Sequence, residues 1–436
     1  MIAWTGTYAV PAATDPVAIS VRVNGRTATV AFGGGHAVST TVMLGRHGTR
    51  VRFAFPGLPS NVVFDGSVKR NVWSGTVRQG NVRGRFRLRR RVSRILPLLG
   101  LYRGPAGTGL TIVQPLAGLS PWIVELPSGA THGIGTSLSV GDKLGDTSGN
   151  GKIAADATGF TWNGTHYMRV ALREREVRVG VDAATLTLPP GTGPFPAAAM
   201  VHGSGAQTRS EFEVFAAYLE LRGVAVLADD KRGVGQSLGS YPGDVATDST
   251  IEVLARDAQL EARFLAKLPH IDPRRVGLLG DSQAGWIIAY AAAHEPAVRW
   301  AVPIVGPTVT VGQSDFWAGL AGQSESPPSG SQSEMLRQTR AAGSSGFDPR
   351  PWLAKLTIPV FWTFGADDRN VPTALCVEAL AALKPGHDFS WVVLPTTHTP
   401  IVLPTGLLSS LPQSPGFDPD FFLAIGAWLQ SRGISG

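Results

Sequence analysis

One serine in this chain has the sequence surroundings that a serine nucleophile needs. Ser282 lies in the run Leu278-Leu279-Gly280-Asp281-Ser282-Gln283-Ala284-Gly285-Trp286, between a segment typical of a strand and one typical of a helix. A sharp strand-to-helix turn exposes such a serine, and the turn requires small residues two positions before and after it. Gly280 and Ala284 are both small, although alanine stands where the usual motif has glycine. The run predicts a nucleophile elbow; the alternative is an ordinary tight turn.

A serine nucleophile also needs a base and an acid that orients the base. Asp367 and Asp368 come directly after one later apolar run, and His398 comes after the next. The carboxyl ends of parallel strands share one edge of a sheet, which is where ligands bind. We therefore predict that His398 serves Ser282 and that one of the two aspartates orients it. This pattern does not choose between the aspartates, and a surface turn is the alternative for either.

These residues lie in a region that alternates between strands and helices from residue 182 to the end. Apolar runs predict strands at 197–201, 224–228, 275–279, 300–305, 358–364 and 389–394, and longer segments with one apolar face predict helices at 211–221, 250–268, 283–294, 373–383 and 421–431. We expect Asp248 or Ser249 to cap the second helix. Buried strands alternating with helices indicate a mostly parallel sheet with helices on both faces.

Taken together, these motifs resemble those of the α/β-hydrolase superfamily. The matching pieces are His202-Gly203-Ser204-Gly205, Asp230-Lys231-Arg232-Gly233-Val234-Gly235-Gln236-Ser237, the Ser282 elbow, the segment from Gly365 to Pro372, and His398. The likeness covers residues 182–436 and is greatest to the bacterial esterase branch related to S9-type peptidases and bile-acid-type acyl-CoA thioesterases. It implies an α/β-hydrolase fold, preceded in this branch by a β-rich domain.

The resemblance also implies a role for each site residue. In that family the aspartate three positions after the glycine is the acid, which selects Asp368 over Asp367. Two backbone N–H groups form the oxyanion hole, here those of Gln283 and Ser204. The implied activity is cleavage of carboxylic esters through an acyl-enzyme, without a cofactor. The same groups would serve an acyl-CoA thioesterase, an acyltransferase or an S9-like peptidase, and a catalytically silent binding protein is the alternative of another class.

Two stretches are placed to select the substrate. The segment 307–355 interrupts the alternation like a lid and contains Phe316 and Trp317, and the leucine-rich segment 399–419 follows His398. Loops at the carboxyl ends of strands carry specificity. Because both stretches are apolar and poor in acids, we expect a small ester with a hydrophobic or aromatic group. For any single residue, packing of the lid is the alternative.

The first part of the chain has a different pattern, with short alternating runs separated by Gly, Asn and Pro. Such runs are typical of an antiparallel barrel or sandwich. The similar fragments Trp4-Thr5-Gly6-Thr7 and Trp73-Ser74-Gly75-Thr76 suggest matching strands of one barrel. We divide the chain into a β-rich domain at 1–94, a second β-rich segment at 95–181 that could continue the first, and a catalytic domain at 182–436.

The chain carries 39 Lys and Arg residues against 32 Asp and Glu residues, a net charge of +7. Arg83, Arg85, Arg87 and Arg89 alternate with Gly84, Phe86 and Leu88, which predicts the solvent face of a strand. We interpret this strand as a sheet edge protected by charge. A nucleic-acid or anionic surface is the alternative, and we expect no nucleic-acid partner.

Several classes of site are disfavoured. Cys376 is the one cysteine, so no intrachain disulfide can form, and its apolar neighbours predict a buried residue. No Cys/His cluster has zinc spacing, so no metal is predicted. No run of about 18 apolar residues indicates a transmembrane helix. The start lacks the features of a signal peptide, which favours a cytoplasmic protein or a secreted one whose signal is absent from this sequence.

Overall fold

The computed structural model describes residues 151–324, 327–402 and 416–435 without a gap. It also describes residues 96–141 except 106–107, 114–120 and 136–137, and nine strands before residue 92.

The nine strands described before residue 92 form one antiparallel sheet. They are β1 (Ile2–Ala9), β2 (Val17–Asn24), β3 (Thr27–Phe32), β4 (Ala37–Thr41), β5 (Met43–Leu44), β6 (Arg50–Phe55), β7 (Val62–Lys69), β8 (Val72–Gln79) and β9 (Val82–Arg91). Their order is β4-β3-β2-β1-β9-β8-β7-β6-β5. Strands β4 and β5 lie at opposite ends of this order but are one residue apart in sequence. The sheet must therefore curl until its ends meet, as in a barrel.

The arginine-rich strand β9 is central in this sheet, so the prediction of an edge strand is wrong. It pairs with β1 on one side and β8 on the other. The solvent face is as expected, because Arg83, Arg85, Arg87 and Arg89 are exposed while Phe86 and Leu88 are buried. The two similar fragments lie on β1 and β8, where the rings of Trp4 and Trp73 meet edge to face.

A second antiparallel sheet follows, with the order β13-β12-β11-β10-β18-β17-β16 among the described strands. The strands of this region are β10 (Gly100–Arg103), β11 (Gly109–Val113), β12 (Trp122–Leu126), β13 (Thr131–Gly133), the pair β14 (Ser139–Val140) and β15 (Gly151–Lys152), β16 (Ala154–Ala155), β17 (Gly159–Trp162) and β18 (Thr165–Arg169). Its apolar residues Leu101, Val113, Val124 and Leu126 join a core cluster of the C-terminal region. This sheet therefore packs directly on that region.

The C-terminal region is built on a mixed sheet with the order β19-β20-β22-β21-β23-β24-β25-β26 in its described part. These strands are β19 (Arg173–Val179), β20 (Asp182–Leu188), β21 (Phe195–Val201), β22 (Ala225–Asp229), β23 (Ile271–Asp281), β24 (Trp300–Ile304), β25 (Val360–Gly365) and β26 (Phe389–Leu394). The pairs from β22 through β26 are parallel, and β19 and β20 form an antiparallel edge. This sheet begins at β19, before residue 182; the domain division itself stays a prediction.

Helices cover both faces of this sheet. The helices are α1 (Glu213–Leu221), α2 (Asp248–Ala266), α3 (Ala284–His294), α4 (Val311–Ala321), α5 (Gln332–Ala342), α6 (Arg350–Leu353), α7 (Thr373–Leu383) and α8 (Pro419–Ser431). Helices α2, α3 and α7 pack on one face, and α1 and α8 on the other. The short pair β27 (Ile401–Val402) and β28 (Gly416–Phe417) precedes α8. No helix of the described residues is long and apolar enough to cross a membrane.

Two local predictions can be compared directly with the structure. The cap of α2 is Thr247, whose hydroxyl accepts a hydrogen bond from the backbone N–H of Thr250, so the prediction of Asp248 or Ser249 is wrong. Asp248 is instead the first residue of the helix. The prediction that Cys376 is buried is confirmed.

Candidate active site

Strand β23 leads into Ser282 and helix α3 leads out of it, which forms the predicted elbow. Ser282 has a φ of +53°, a left-handed conformation that costs a side-chain-bearing residue free energy. Gly280 is required by close packing, since a Cβ there would lie 2.1 Å from the carbonyl oxygen of Val201. Ala284 is fully buried at the matching position beyond the serine. The turn therefore holds the Ser282 hydroxyl at the carboxyl edge of the sheet.

The glycine that the usual motif has at position 284 is needed one residue later in this chain. A Cβ on Gly285 would lie 2.6 Å from the backbone of Gly306, where the loop after β24 passes over the start of α3. This contact explains why Gly285 is a glycine.

The fold brings Ser282, His398 and Asp368 together from three separate elements. The Nε2 atom of His398 lies 2.9 Å from Ser282 Oγ, and its Nδ1 atom lies 2.9 Å from Asp368 Oδ2. Asp368 follows β25 and His398 follows β26, so both lie past the carboxyl ends of adjacent strands. The three side chains form an unbroken hydrogen-bonded chain in which imidazole can move a proton from the serine.

Asp368, and not its neighbour Asp367, is the carboxylate against His398. The Asp368 side chain is fully buried, and its Oδ1 accepts hydrogen bonds of 2.8 Å from the backbone N–H groups of Asn370 and Val371. Asp367 is exposed. The two backbone donors fix the Asp368 carboxylate so that it can accept from Nδ1 of His398, which leaves Nε2 free to accept the serine proton.

The surroundings of His398 raise the pKa of its imidazole above the usual 6.5. Burial acts in the opposite direction and is the largest single influence. The charge of Asp368, its hydrogen bond to the ring and the charge of Asp281 outweigh it, because each favours the imidazolium.

The backbone N–H groups of Ser204 and Gln283 donate no hydrogen bond to protein acceptors in the described part of the chain. Gln283 directly follows the serine. Gly203, which precedes Ser204, is packed against Asp281, since a Cβ there would lie 3.1 Å from the Asp281 carbonyl oxygen. The two donors therefore border the elbow and are available to an anion.

A buried lysine that the sequence analysis did not single out joins these two segments. Lys231 Nζ donates to the carbonyl oxygens of Gly203 at 2.7 Å and Gly205 at 3.2 Å, and to Gln283 Oε1 at 3.3 Å. Burial lowers the pKa of Lys231 to about 8. In the sequence, the loop after β22 contributes only to the family resemblance, and the lysine within it gives no periodic signal that could mark it as part of a site.

Comparisons with known proteins match part of this chain to an esterase family and to a thioesterase. The model of a family described as "Esterase FrsA-like" matches residues 163–317, which include Ser204 and Ser282 but end before Asp368 and His398. Acyl-coenzyme A thioesterase 5 of Mus musculus is 34% identical over 147 residues, which are 34% of this chain and 32% of that protein. The chain thus spans about a third of the length of that relative.

Solved structures with a similar arrangement include two hydrolases. The Pyrococcus furiosus esterase Pf2001 is 16% identical, with a TM-score of 0.43 over 60% of this chain and 93% of that chain. The 2,6-dihydroxy-pseudo-oxynicotine hydrolase is 20% identical, with a TM-score of 0.40 over 60% of this chain and 67% of that chain.

This chain contains an α/β-hydrolase domain. The parallel sheet with helices on both faces and the family match together confirm the resemblance and the fold class that the motifs implied. The catalytic roles of the site residues stay predictions.

The insertion at 307–355 contains helices α4 to α6 and contacts the acid loop, the segment after β25 that carries Asp368. Trp317 on α4 is buried, and its indole N–H donates to the Asp368 carbonyl oxygen at 3.0 Å. Ser314 Oγ on the same helix donates to the Asn370 carbonyl oxygen at 3.1 Å. Helix α4 therefore holds the segment that carries Asp368.

The two predicted pocket residues differ in position. Phe316 on α4 is 42% exposed, whereas Trp317 is 3% exposed and packs with Ala321 and Met335. Phe316 is thus exposed on α4, whereas the indole of Trp317 contacts the backbone of Asp368. Most of the second predicted stretch, residues 403–415, lies outside the described residues.

Proposed function

We propose that this chain is a serine hydrolase that cleaves carboxylic esters through an acyl-enzyme. The observation that carries the proposal is His398, which lies 2.9 Å from both Ser282 Oγ and Asp368 Oδ2. The match of residues 163–317 to an esterase family supports the same reaction class.

In the proposed mechanism, His398 Nε2 accepts the Ser282 proton as Oγ attacks the acyl carbon. Asp368 keeps the other ring proton on Nδ1 and stabilises the imidazolium. The N–H groups of Ser204 and Gln283 donate to the oxyanion, and His398 then protonates the leaving alcohol. A water molecule, deprotonated by His398, attacks the acyl-enzyme and releases the acid.

Lys231 acts in this scheme as a positioning residue. Its ammonium group holds the carbonyl oxygens on both sides of Ser204, at Gly203 and Gly205, and the side chain of Gln283. Such contacts fix the peptide units whose N–H groups face the oxyanion. Preorganised donors of this kind cost no reorganisation when charge develops.

A pre-steady-state burst tests the acyl-enzyme. With p-nitrophenyl butyrate, we expect a burst of p-nitrophenol approaching one equivalent per chain whenever deacylation is slower than acylation. A butyryl adduct on Ser282 should be detected by mass spectrometry under the same conditions. The Ser282→Ala variant, folded by circular dichroism, should show neither burst nor adduct. A wild-type protein that is folded and neither hydrolyses esters nor forms the adduct would contradict the proposal.

Thioester hydrolysis is the second candidate, favoured by the 34% identity to acyl-coenzyme A thioesterase 5 over 147 residues. Both reactions would use the same triad, so the leaving group decides between them. Comparing kcat/KM for p-nitrophenyl butyrate with that for butyryl-CoA separates the two: a large preference for the CoA substrate identifies a thioesterase.

A further inference from the structure

Three acidic residues from separate elements meet inside the hydrolase domain, beside the loop that carries Lys231. They are Asp182 at the start of β20, Asp229 at the end of β22 and Glu261 on α2, with 1%, 6% and 2% of their surface exposed. One oxygen from each lies within 4.8 Å of the others. Their separation in sequence explains why no spacing motif predicts this cluster.

Most carboxylate oxygens of this cluster lack hydrogen-bond donors. Both oxygens of Asp182 and one oxygen of Glu261 have no hydrogen-bond partner in the described part of the chain, and Asp229 Oδ1 has only a longer contact of 3.3 Å with Nε2 of His202. The Nδ1 atom of the buried His202 is also without a partner. These residues line a cavity of about 30 Å³, which is large enough for one water molecule or ion. Buried polar atoms without partners are costly, so a group that satisfies them is expected in this cavity.

The charges around the cavity do not balance. Four carboxylates line it, those of Asp182, Asp229, Asp257 and Glu261, against the two cations Lys231 and Arg232. Arg232 forms two hydrogen bonds of 2.7 Å with Asp257, and therefore neutralises that residue and leaves the other three without a paired arginine. With these six groups charged and His202 neutral, the wall carries an excess of two negative charges, which a divalent cation would cancel. Protonation of His202, whose Nε2 lies 3.3 Å from Asp229 Oδ1, reduces the excess to one.

We propose that Asp182, Asp229 and Glu261 bind a hard divalent cation, magnesium or calcium. Carboxylate oxygens are the ligands these ions prefer, at distances of about 2.0 to 2.6 Å. Two oxygens bound to one ion lie at most about 4.2 Å apart for magnesium and about 5 Å apart for calcium, so the 4.8 Å limit within the cluster meets the requirement of calcium, the larger of the two ions. The ion would tie β20, β22 and α2 together next to His202, which follows β21, and Lys231, which follows β22.

The competing explanation is that the acids are protonated. Burial, with the charges of Asp257 and Asp229 as smaller causes, raises the pKa of Asp182 to about 8. Protons held this way would stabilise the fold at low pH, and that contribution would be lost as pH rises through the folded pKa. A bound cation predicts the opposite at neutral pH and above, because it binds the ionised carboxylates.

Equilibrium dialysis of the full chain tests the proposal directly. After treatment with EDTA, the protein is dialysed against MgCl₂ or CaCl₂ at pH 7.5, and the bound metal is measured by inductively coupled plasma mass spectrometry. We expect about one ion per chain and a higher melting temperature with the bound metal. Asp182→Asn and Glu261→Gln should each weaken binding by more than about tenfold. Glu220→Gln, a buried acid on α1 outside the cluster, is the matched control and should bind like the wild type.

Wild-type protein that binds neither ion at millimolar concentration would overturn the proposal, whether or not the variants fold. Binding that persists unchanged in folded Asp182→Asn and Glu261→Gln would also overturn it, because the ion would then lie elsewhere. The ester-hydrolysis assay of the EDTA-treated protein is a separate measurement. A failure to bind a metal ion would therefore not count against the proposed serine mechanism.

Discussion

Replacing Lys231 with methionine tests whether the buried ammonium group serves the reaction and not the fold. Methionine has a similar length and fills the same space, but it donates no hydrogen bonds. The change therefore leaves the carbonyl oxygens of Gly203 and Gly205 without the donor that now holds them at 2.7 and 3.2 Å. The Gly203 carbonyl group and the Ser204 N–H belong to one peptide unit. Without the lysine, this N–H should lose its fixed direction.

The size of the effect follows from two comparisons. Removing one oxyanion donor outright lowers kcat by about 10² to 10³. Here the N–H remains and only its orientation relaxes, so we expect kcat to fall by about 10- to 100-fold with KM nearly unchanged. The free energy of unfolding should change by no more than a few kcal/mol, because two contributions oppose each other. Lowering the pKa of Lys231 from 10.5 to about 8 corresponds to a folding cost on the order of 3 kcal/mol below pH 8, which the variant no longer carries. The carbonyl groups left without a donor cost about 1 to 3 kcal/mol each, in the opposite direction.

The pH profile separates this role from a purely structural one. In the wild type, Lys231 loses its charge at a pKa of about 8, so kcat should decline on the alkaline side. Lys231→Met should lack that alkaline decline. Initial rates with p-nitrophenyl butyrate between pH 6 and 9.5, corrected for spontaneous hydrolysis, give both profiles, and Lys267→Met, an exposed lysine after α2, is the control. If Lys231→Met kept kcat within about twofold and kept the alkaline decline, the positioning role would be refuted.

Three further predictions concern the triad and the lid. Asp368→Asn should lower kcat by about 10⁴-fold, whereas Asp367→Asn should stay near wild type; steady-state kinetics of both variants check this, and the reverse order would exclude Asp368 as the acid. Because His398 must be neutral to accept a proton and its pKa is raised, kcat/KM should rise with pH through an apparent pKa above 6.5, and a profile that is flat from pH 5 to 8 would argue against a histidine base. Trp317→Phe removes the indole hydrogen bond to the backbone of Asp368 and should lower kcat by about threefold. Phe316→Ala should instead raise KM or shift the chain-length preference. If both variants changed only KM, and equally, the separate roles of Trp317 in positioning Asp368 and of Phe316 in substrate binding would be contradicted.

The strands, the helices and the serine elbow could be predicted because their signals are local. An apolar run or a one-sided helical pattern is complete within the segment itself, and β26 and α7 begin and end at the predicted residues. The small residues around Ser282 are also a local requirement. The sequence pattern alone left Asp367 and Asp368 equivalent, since the choice depends on which of them the turn after β25 buries.

Features that depend on distant contacts were beyond the sequence. The position of β9 at the centre of its sheet follows from its pairing with β1, far away in the chain, and charge alternation reports only which face is solvated. Gly285 is required by the loop at Gly306, and Trp317 meets Asp368 only once α4 has folded over the acid loop. The acid cluster near Lys231 likewise exists only in the folded sheet.

Labelling with a fluorophosphonate probe tests the central claim most directly. An activated serine attacks the phosphorus and forms a stable adduct, whereas an ordinary serine does not react at low probe concentration. We predict one adduct per wild-type chain, located on Ser282 by peptide mapping, none in Ser282→Ala and strongly slowed labelling in His398→Ala. Folded wild-type protein that stays unlabelled, or that carries the adduct on another residue, would contradict the account.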